Sequence, residues 1–303
     1  MRVWVVRPGE EGTLSSVLSR MGADAKALAE GRVFVDRKRM HDASTSVAAG
    51  ESVRVASSTP SADVAGGVQI LWNANGIVAA DKPAGIPTIA DHGGDAHALS
   101  TAVARAVGVP TSALHPTSRL DRGVSGVVVF AMDERARALL RTAREEGRYE
   151  RRYVALASQA PSPPSGTWDA PIGRAKDALL RKVNGKDAVP SVTRYAVVAE
   201  ARDAVMLALA PVTGRTHQLR VHASHAGAPL LGDRDYGRAT NVTLASGEVL
   251  RVGRIALHCA HVRLLFGEEE VRLSAEIPAE LRELAARLGI LEETWKKAVT
   301  CNL

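Results

Sequence analysis

The chain has 303 residues, 46% of them hydrophobic and 24% charged. That length and balance exclude global disorder and accommodate one large domain with a smaller one beside it. Lys and Arg total 39 against 33 Asp and Glu, a net charge of +6 with a pI near 9.6, which favours polyanionic partners, nucleic acid first.

Two cysteines, Cys259 and Cys301, supply neither a disulfide framework nor a paired metal motif, as suits a reducing compartment. No apolar run approaches the roughly 20 residues of a membrane span. The first nine residues are too short and interrupted for a signal peptide. These features predict a cytoplasmic monomer without a membrane partner.

In chain order, the stretch from Gly12 to Met21 places Leu14, Val17, Leu18 and Met21 on one helical stripe, and a second short helix follows around Ala23 to Glu30. Arg32 to Arg39 reads as a strand with a basic turn, and Ser52 to Val55 as a last strand. Arg20, Lys26, Arg32, Arg37, Lys38 and Arg39 can present one face to phosphates or form a solvated charged turn. This order of elements, with EGRVFVDRKRMHD and VAAGESVRV, resembles the S4 RNA-binding module. Asp36-Arg37-Lys38 stands where that family has Asn-Gly-Lys. The resemblance implies an S4-like RNA-binding domain over residues 1–58, joined by a small-residue linker, 59–67, to a main domain over 68–303.

Within the main domain, strands are predicted at Ile77–Ala80, Val127–Ala131, Tyr153–Ala157, Val192–Ala199, Val205–Ala210, Ile255–His258 and Val271–Ser274. Helices are predicted at Ala98–Val107, Glu134–Glu145 and about Arg215–Ala226. A last one follows Pro278, with Leu281, Leu284, Leu288 and Leu291 at helical spacing. Residues 161–164 and 181–186 read as exposed loops. Several strands follow one another without an intervening helix, which predicts an α+β fold with a mixed, mainly antiparallel sheet.

No dinucleotide fingerprint, phosphate-binding loop or Gly-x-Ser-x-Gly elbow is present. His217, His222, His225, His258 and His261 lack the spacing of a metal signature, so no metal is expected. Four punctuated segments remain: Asp81-Lys82-Pro83-Ala84-Gly85, Arg119-Leu120-Asp121-Arg122-Gly123-Val124-Ser125-Gly126, Tyr149 to Ala155, and Gly214-Arg215-Thr216-His217-Gln218-Leu219-Arg220 followed by Gly232-Asp233 and Tyr236-Gly237. Asp121, alone between two arginines before an apolar strand, is either a structural ion pair or a catalytic carboxylate kept ionised by cations.

These four segments in this order resemble the RluA-type pseudouridine synthases over roughly Val68 to Leu273. The resemblance implies an isomerase that converts uridine to pseudouridine in RNA without a cofactor. It implies Asp121 as the catalytic aspartate, Arg220 as the arginine that pairs with it, and Tyr153 as the tyrosine that stacks on the target base. Arg119 is implied as the side chain that fills the gap left by the flipped uridine. Each of these has a plainer reading: strand packing for Tyr153, a phosphate contact for Arg119, a surface helix charge for Arg220. Arg122, Lys82, Arg215 and His217 complete the candidate RNA contacts.

Two positions depart from the family's pattern, Ser118 where it has His and Val124 where it commonly has Thr. Neither touches the carboxylate. The implied partner is structured RNA, large-subunit ribosomal RNA first and tRNA as the alternative. A non-catalytic RNA-binding assembly factor is the reading from a different class.

Overall fold

A computed structural model describes residues 2–23, 26–29, 33–36, 38–40, 42–55, 68–90, 97–177, 179–237, 240–244, 246–266 and 269–303. The linker expected at 59–67, and Arg32 and Arg37 of the expected RNA contacts, lie outside these residues.

The N-terminal elements are β1 (Arg2–Val5), β2 (Gly12–Thr13), α1 (Leu14–Arg20), α2 (Lys26–Ala29), β3 (Val33–Val35), β4 (Lys38–Arg39), β5 (Ser46–Val47) and β6 (Ser52–Val55). Thr13 caps α1 by accepting from the Ser16 amide, as hydroxyl residues do at helix starts. A four-stranded antiparallel sheet runs β1-β6-β3-β4. Alternation along β6 turns Val53 and Val55 inward onto Leu14, Val17, Leu18 and Val33, a separate small core. β1 is absent from the sequence expectation because four residues at a chain end carry too little periodicity.

The larger region continues with β7 (Ile70–Ala74), β8 (Ile77–Lys82), α3 (Leu99–Val107), β9 (His115–Pro116), β10 (Ser125–Ala131), α4 (Glu134–Glu145) and β11 (Tyr149–Ala157). Then come β12 (Ser165–Trp168), β13 (Ile172–Arg174), β14 (Arg181–Val183), β15 (Lys186–Val189), β16 (Thr193–Glu200), β17 (Val205–Pro211) and α5 (Gln218–His225). The last are β18 (Asn241–Thr243), β19 (Val249–Arg251), β20 (Leu257–Phe266), β21 (Glu269–Ser274), α6 (Ala279–Arg287) and α7 (Thr294–Thr300).

The central sheet runs β12-β16-β17-β11-β20-β10-β8-β7, with β21 beside β20 and β9 beside β10. Its pairings are antiparallel except β10 against β20. The fold is therefore α+β with a mixed, mainly antiparallel sheet, as expected. Both faces are covered. Tyr153, Ala155, Leu207 and Leu209 point into one core, while Val154, Leu156 and Met206 point into a second formed with α6 and α7. The period of two along β11 and β17 thus serves two cores at once.

Three expectations are corrected. Residues 181–186 are not a loop but part of β14 and β15, which pair with β13; their polar, exposed side chains hid the strand signal. α5 begins at Gln218 rather than near Arg215, because Gly214 to His217 form the turn before it. α6 ends at Arg287, so Leu291 lies beyond it and is exposed, while Ile290 and Trp295 fill the core.

Candidate active site

The loop before β10 is braced from two sides. On one side Thr88 Oγ1 donates to the Leu120 carbonyl at 2.8 Å and accepts from the Leu120 amide at 3.0 Å, and the Gly85 amide donates to the Arg122 carbonyl at 2.7 Å. On the other, Ser125 and Gly126 pair with His258 and Cys259 of β20. Gly126 has φ of +114°, and a Cβ there would collide with the Cys259 backbone. Only glycine lets the two strands meet at that point. Ser125 Oγ then bonds His258 Nδ1 at 2.7 Å and receives Arg254 Nη2 at 2.7 Å. Asp121 projects from a loop with little freedom to move.

Arg220, on the first turn of α5, reaches that carboxylate: Nη1 donates to Asp121 Oδ2 at 3.0 Å. The same guanidinium makes a two-pronged bond to buried Asp233, Nε to Oδ2 at 2.7 Å and Nη2 to Oδ1 at 2.8 Å, and Nη2 also meets Asp235 Oδ2 at 2.6 Å. Its Cζ lies 4.8 Å from the Tyr236 ring centroid. Burial opposes its charge, but the bonds to Asp233 and the attraction of Asp121 and Asp235 outweigh burial and hold its pKa above the usual arginine range. A fixed, permanently charged fork of this kind aims the carboxylate it holds.

His217 precedes α5 in a left-handed conformation, φ +58°, uncommon for a residue with a side chain. Nδ1 bonds the Tyr236 hydroxyl at 2.7 Å, and Nε2 lies 3.8 Å from Asp121 Oδ1. Burial lowers its pKa, partly opposed by Asp121. Gln218 holds the preceding turn through Oε1, which accepts from Thr213 Oγ1 at 2.7 Å and the Arg215 amide at 2.9 Å.

Asp121, Tyr153, Arg119, Arg215, His217 and Arg220 all line one cavity of about 260 Å³. Tyr153 enters from β11 beside a register shift between Arg152 and Tyr153 against β20, the kind of irregularity that re-aims a strand side chain. Burial holds its phenol protonated, with a pKa well above the ordinary value. Arg119 and Arg215 are exposed. Arg122 is also exposed and lines a neighbouring groove with Arg119.

Lys82 is a correction. It is wholly buried, with Nζ donating to the carbonyls of Pro83 at 2.9 Å, Ile86 at 2.7 Å and Arg122 at 3.4 Å. Burial and the neighbouring Arg254 charge pull its pKa down to about 7. A phosphate does not reach it; its ammonium pins the 83–86 loop to the Asp121 loop. Lys38 and Arg39 lie in β4, their side chains outside the described ones.

A family model described as RNA pseudouridylate synthase matches residues 76–225. RNA pseudouridine synthase YhcT of Bacillus subtilis, itself described as uncharacterized, is 31% identical over 225 residues, 72% of this chain and 72% of that one.

The chain belongs to the RNA pseudouridylate synthase family.

Another relative in this family, the uncharacterized RNA pseudouridine synthase YjbO of Bacillus subtilis, is 35% identical over 173 residues, 56% of this chain and 58% of that protein. The chain thus spans less than two thirds of that relative. Ribosomal large subunit pseudouridine synthase D of Zymomonas mobilis is 35% identical over 179 residues, 57% of this chain and 55% of its own length. In fold, the chain matches the solved structure of human RNA pseudouridylate synthase domain containing 4, with a TM-score of 0.57 at 24% identity over 75% of this chain and 94% of that one.

Several site residues carry no role in the sequence reading. Asp233 and Asp235 cage Arg220, Tyr236 holds His217, and Arg144 and Arg151 line the cavity. The Gly232-Asp233 and Tyr236-Gly237 pairs were a visible signal, punctuated like the motifs with assigned roles. Arg144 had none, since an arginine late in an amphipathic helix reads as solvated surface.

Proposed function

We propose that the protein isomerises uridine to pseudouridine in structured RNA, with Asp121 as the catalytic carboxylate. The observation that carries this reading is the Asp121 carboxylate held at 3.0 Å by caged Arg220 in a cavity that Tyr153 also lines. In the reaction the N1–C1′ bond breaks and a C5–C1′ bond forms, with the C5 proton lost and N1 left protonated. There is no net redox change or hydrolysis, so a carboxylate suffices, as nucleophile at C1′ or as the base that removes a ribose proton. Tyr153 stacks on the uracil, with its hydroxyl beside C5. Arg119 takes the space the flipped nucleotide leaves.

The N-terminal region, 1–58, acts as an S4-like RNA-binding module, and Arg119, Arg122, Arg215 and His217 contact RNA at the site. The substrate we infer is large-subunit ribosomal RNA, which the name of the Zymomonas relative supports. The test is release of tritium from ribosomal RNA and tRNA labelled at uridine C5. Release from ribosomal RNA is expected, with Asp121→Asn releasing none while still binding RNA. Release from tRNA alone overturns the substrate. No release from either, or full activity of Asp121→Asn, overturns the mechanism.

A further inference from the structure

We propose that Arg144 and Arg151 form a binding site for an RNA phosphodiester next to the target nucleotide, and that the strand continues from there along α4 past Arg141 and Arg137. The inference rests on the RNA-modifying reading above and adds a path to it.

A groove of about 420 Å³ opens beside the catalytic cavity and shares Thr117, Arg144, Arg151 and the Thr213–Arg215 turn with it. α4 buries Ala136, Leu140 and Ala143. Arg137, Arg141 and Arg144 are all exposed and line the groove. Their spacing of four and three residues makes them neighbours on one helix face, roughly 5–6 Å apart at Cβ.

Arg144 and Arg151 meet over Gly214. A side chain there would come within 2.8 Å of Arg144 Nη2 and 3.3 Å of Arg151 Nη1, so the glycine leaves the room that both guanidinium groups face. Backbone carbonyls hold each of them. Arg144 Nη1 donates to Thr117, and Arg151 Nη2 donates to Pro211 at 3.2 Å and Thr213 at 2.9 Å. Arg151 Nε is buried without a hydrogen-bond partner.

Among the described residues no carboxylate forms an ion pair with Arg141, Arg144, Arg151 or Arg215, whereas Arg152, Arg220, Arg254 and Arg263 each have at least one. Burial and then the Arg151 charge lower the Arg144 pKa, as crowded cations require. An anion placed between the two relieves that repulsion, and a phosphodiester matches the planar forks of both. The site's position beside the cavity makes it the phosphate flanking the nucleotide that enters the cavity.

The test uses the full chain and a fluorescein-labelled oligouridylate of twelve nucleotides, with affinity read by anisotropy across a sodium chloride series. Tritium release from ribosomal RNA is measured in parallel. Arg144→Gln and Arg141→Glu should each weaken binding by about fivefold or more and reduce the slope of log K against log salt by about 0.7, the contribution of one phosphate on a single strand. Arg272→Gln, on exposed β21, should leave the slope unchanged. An unchanged slope in folded Arg144→Gln and Arg141→Glu overturns the proposal even where tritium release is normal. A reduced slope without tritium release from any RNA upholds the phosphate site and overturns the catalytic reading alone.

Discussion

Arg220 and the Arg144–Arg151 pair lie on the same cavity, yet the protein treats their charge in opposite ways. Arg220 is buried and surrounded by Asp121, Asp233 and Asp235, with its bonds satisfied within the protein. Among the described residues the hydrogen bonds of Arg144 and Arg151 go only to backbone carbonyls, Arg151 lies over the Tyr149 ring, and a buried Nε of Arg151 has no hydrogen-bond partner. An arginine closed on all sides by carboxylates cannot also receive an external anion; it serves to hold something still. An arginine left unneutralised beside a groove is prepared for a charge that arrives. On the proposed function, the difference separates the group that aims the chemistry from the groups that receive the substrate backbone.

The cage is where the comparison breaks most violently. Replacing Arg220 with Met leaves buried Asp233 without a cation, and loss of one partner of a buried pair costs about 3–5 kcal/mol. The measurement is chemical denaturation, with Arg220→Met well below the parent in stability. Arg220→Lys should recover part of it, since a lysine keeps the charge but not the fork. If Arg220→Met were as stable as the parent, the cage would contribute nothing and the contrast with Arg144 would dissolve.

A second interior test concerns a titratable group buried without any counter-charge. His258, bonded to Ser125 under the Asp121 loop, has its pKa lowered to about 4, chiefly by burial and further by Arg254, against the pull of the Ala275 carbonyl. Its folded value lies below the ordinary 6.5, so between the two the unfolded chain binds the extra proton. Stability is therefore whole above about pH 7 and falls as pH drops toward 4, by about 3 kcal/mol from this group. Urea denaturation across that range measures the fall, and His258→Gln should flatten it. A slope that persists undiminished in His258→Gln would assign the acid sensitivity elsewhere.

Much of this arrangement is legible in the sequence. The unbroken apolar run of β10 and the helical period of α4 are strong local signals, and the pairing of Arg220 with Asp121 is what the family's motifs imply. What was hidden depends on contacts distant in sequence. Arg220 meets Asp233 and Asp235 across 13 and 15 residues, and the Gly232-Asp233 punctuation marks a motif without saying that these carboxylates close a cage. Lys82 read as a candidate RNA contact because local sequence does not reveal that three carbonyls converge on its ammonium. Gly126 was visible as part of a motif, but its necessity lies in the Cys259 backbone across the sheet.

The smallest effect probes the groove with the opposite sign. Glu145, the last residue of α4, is the one carboxylate among the described residues that line the groove. If the groove receives a phosphodiester, this charge opposes it, and Glu145→Gln should tighten oligouridylate binding by about twofold, the scale of an exposed charge pair. The same change removes a negative charge from the negative end of the helix dipole, so stability should rise by a few tenths of about 1 kcal/mol rather than fall. Both effects should fade as salt is raised, because both are screened. Glu145 makes no contact with the Arg220 cage, so the rate of tritium release at saturating RNA should stay put. Weaker binding by Glu145→Gln would mean that the groove does not present its arginines to an anion, and the two kinds of arginine would then differ only in their carboxylate partners.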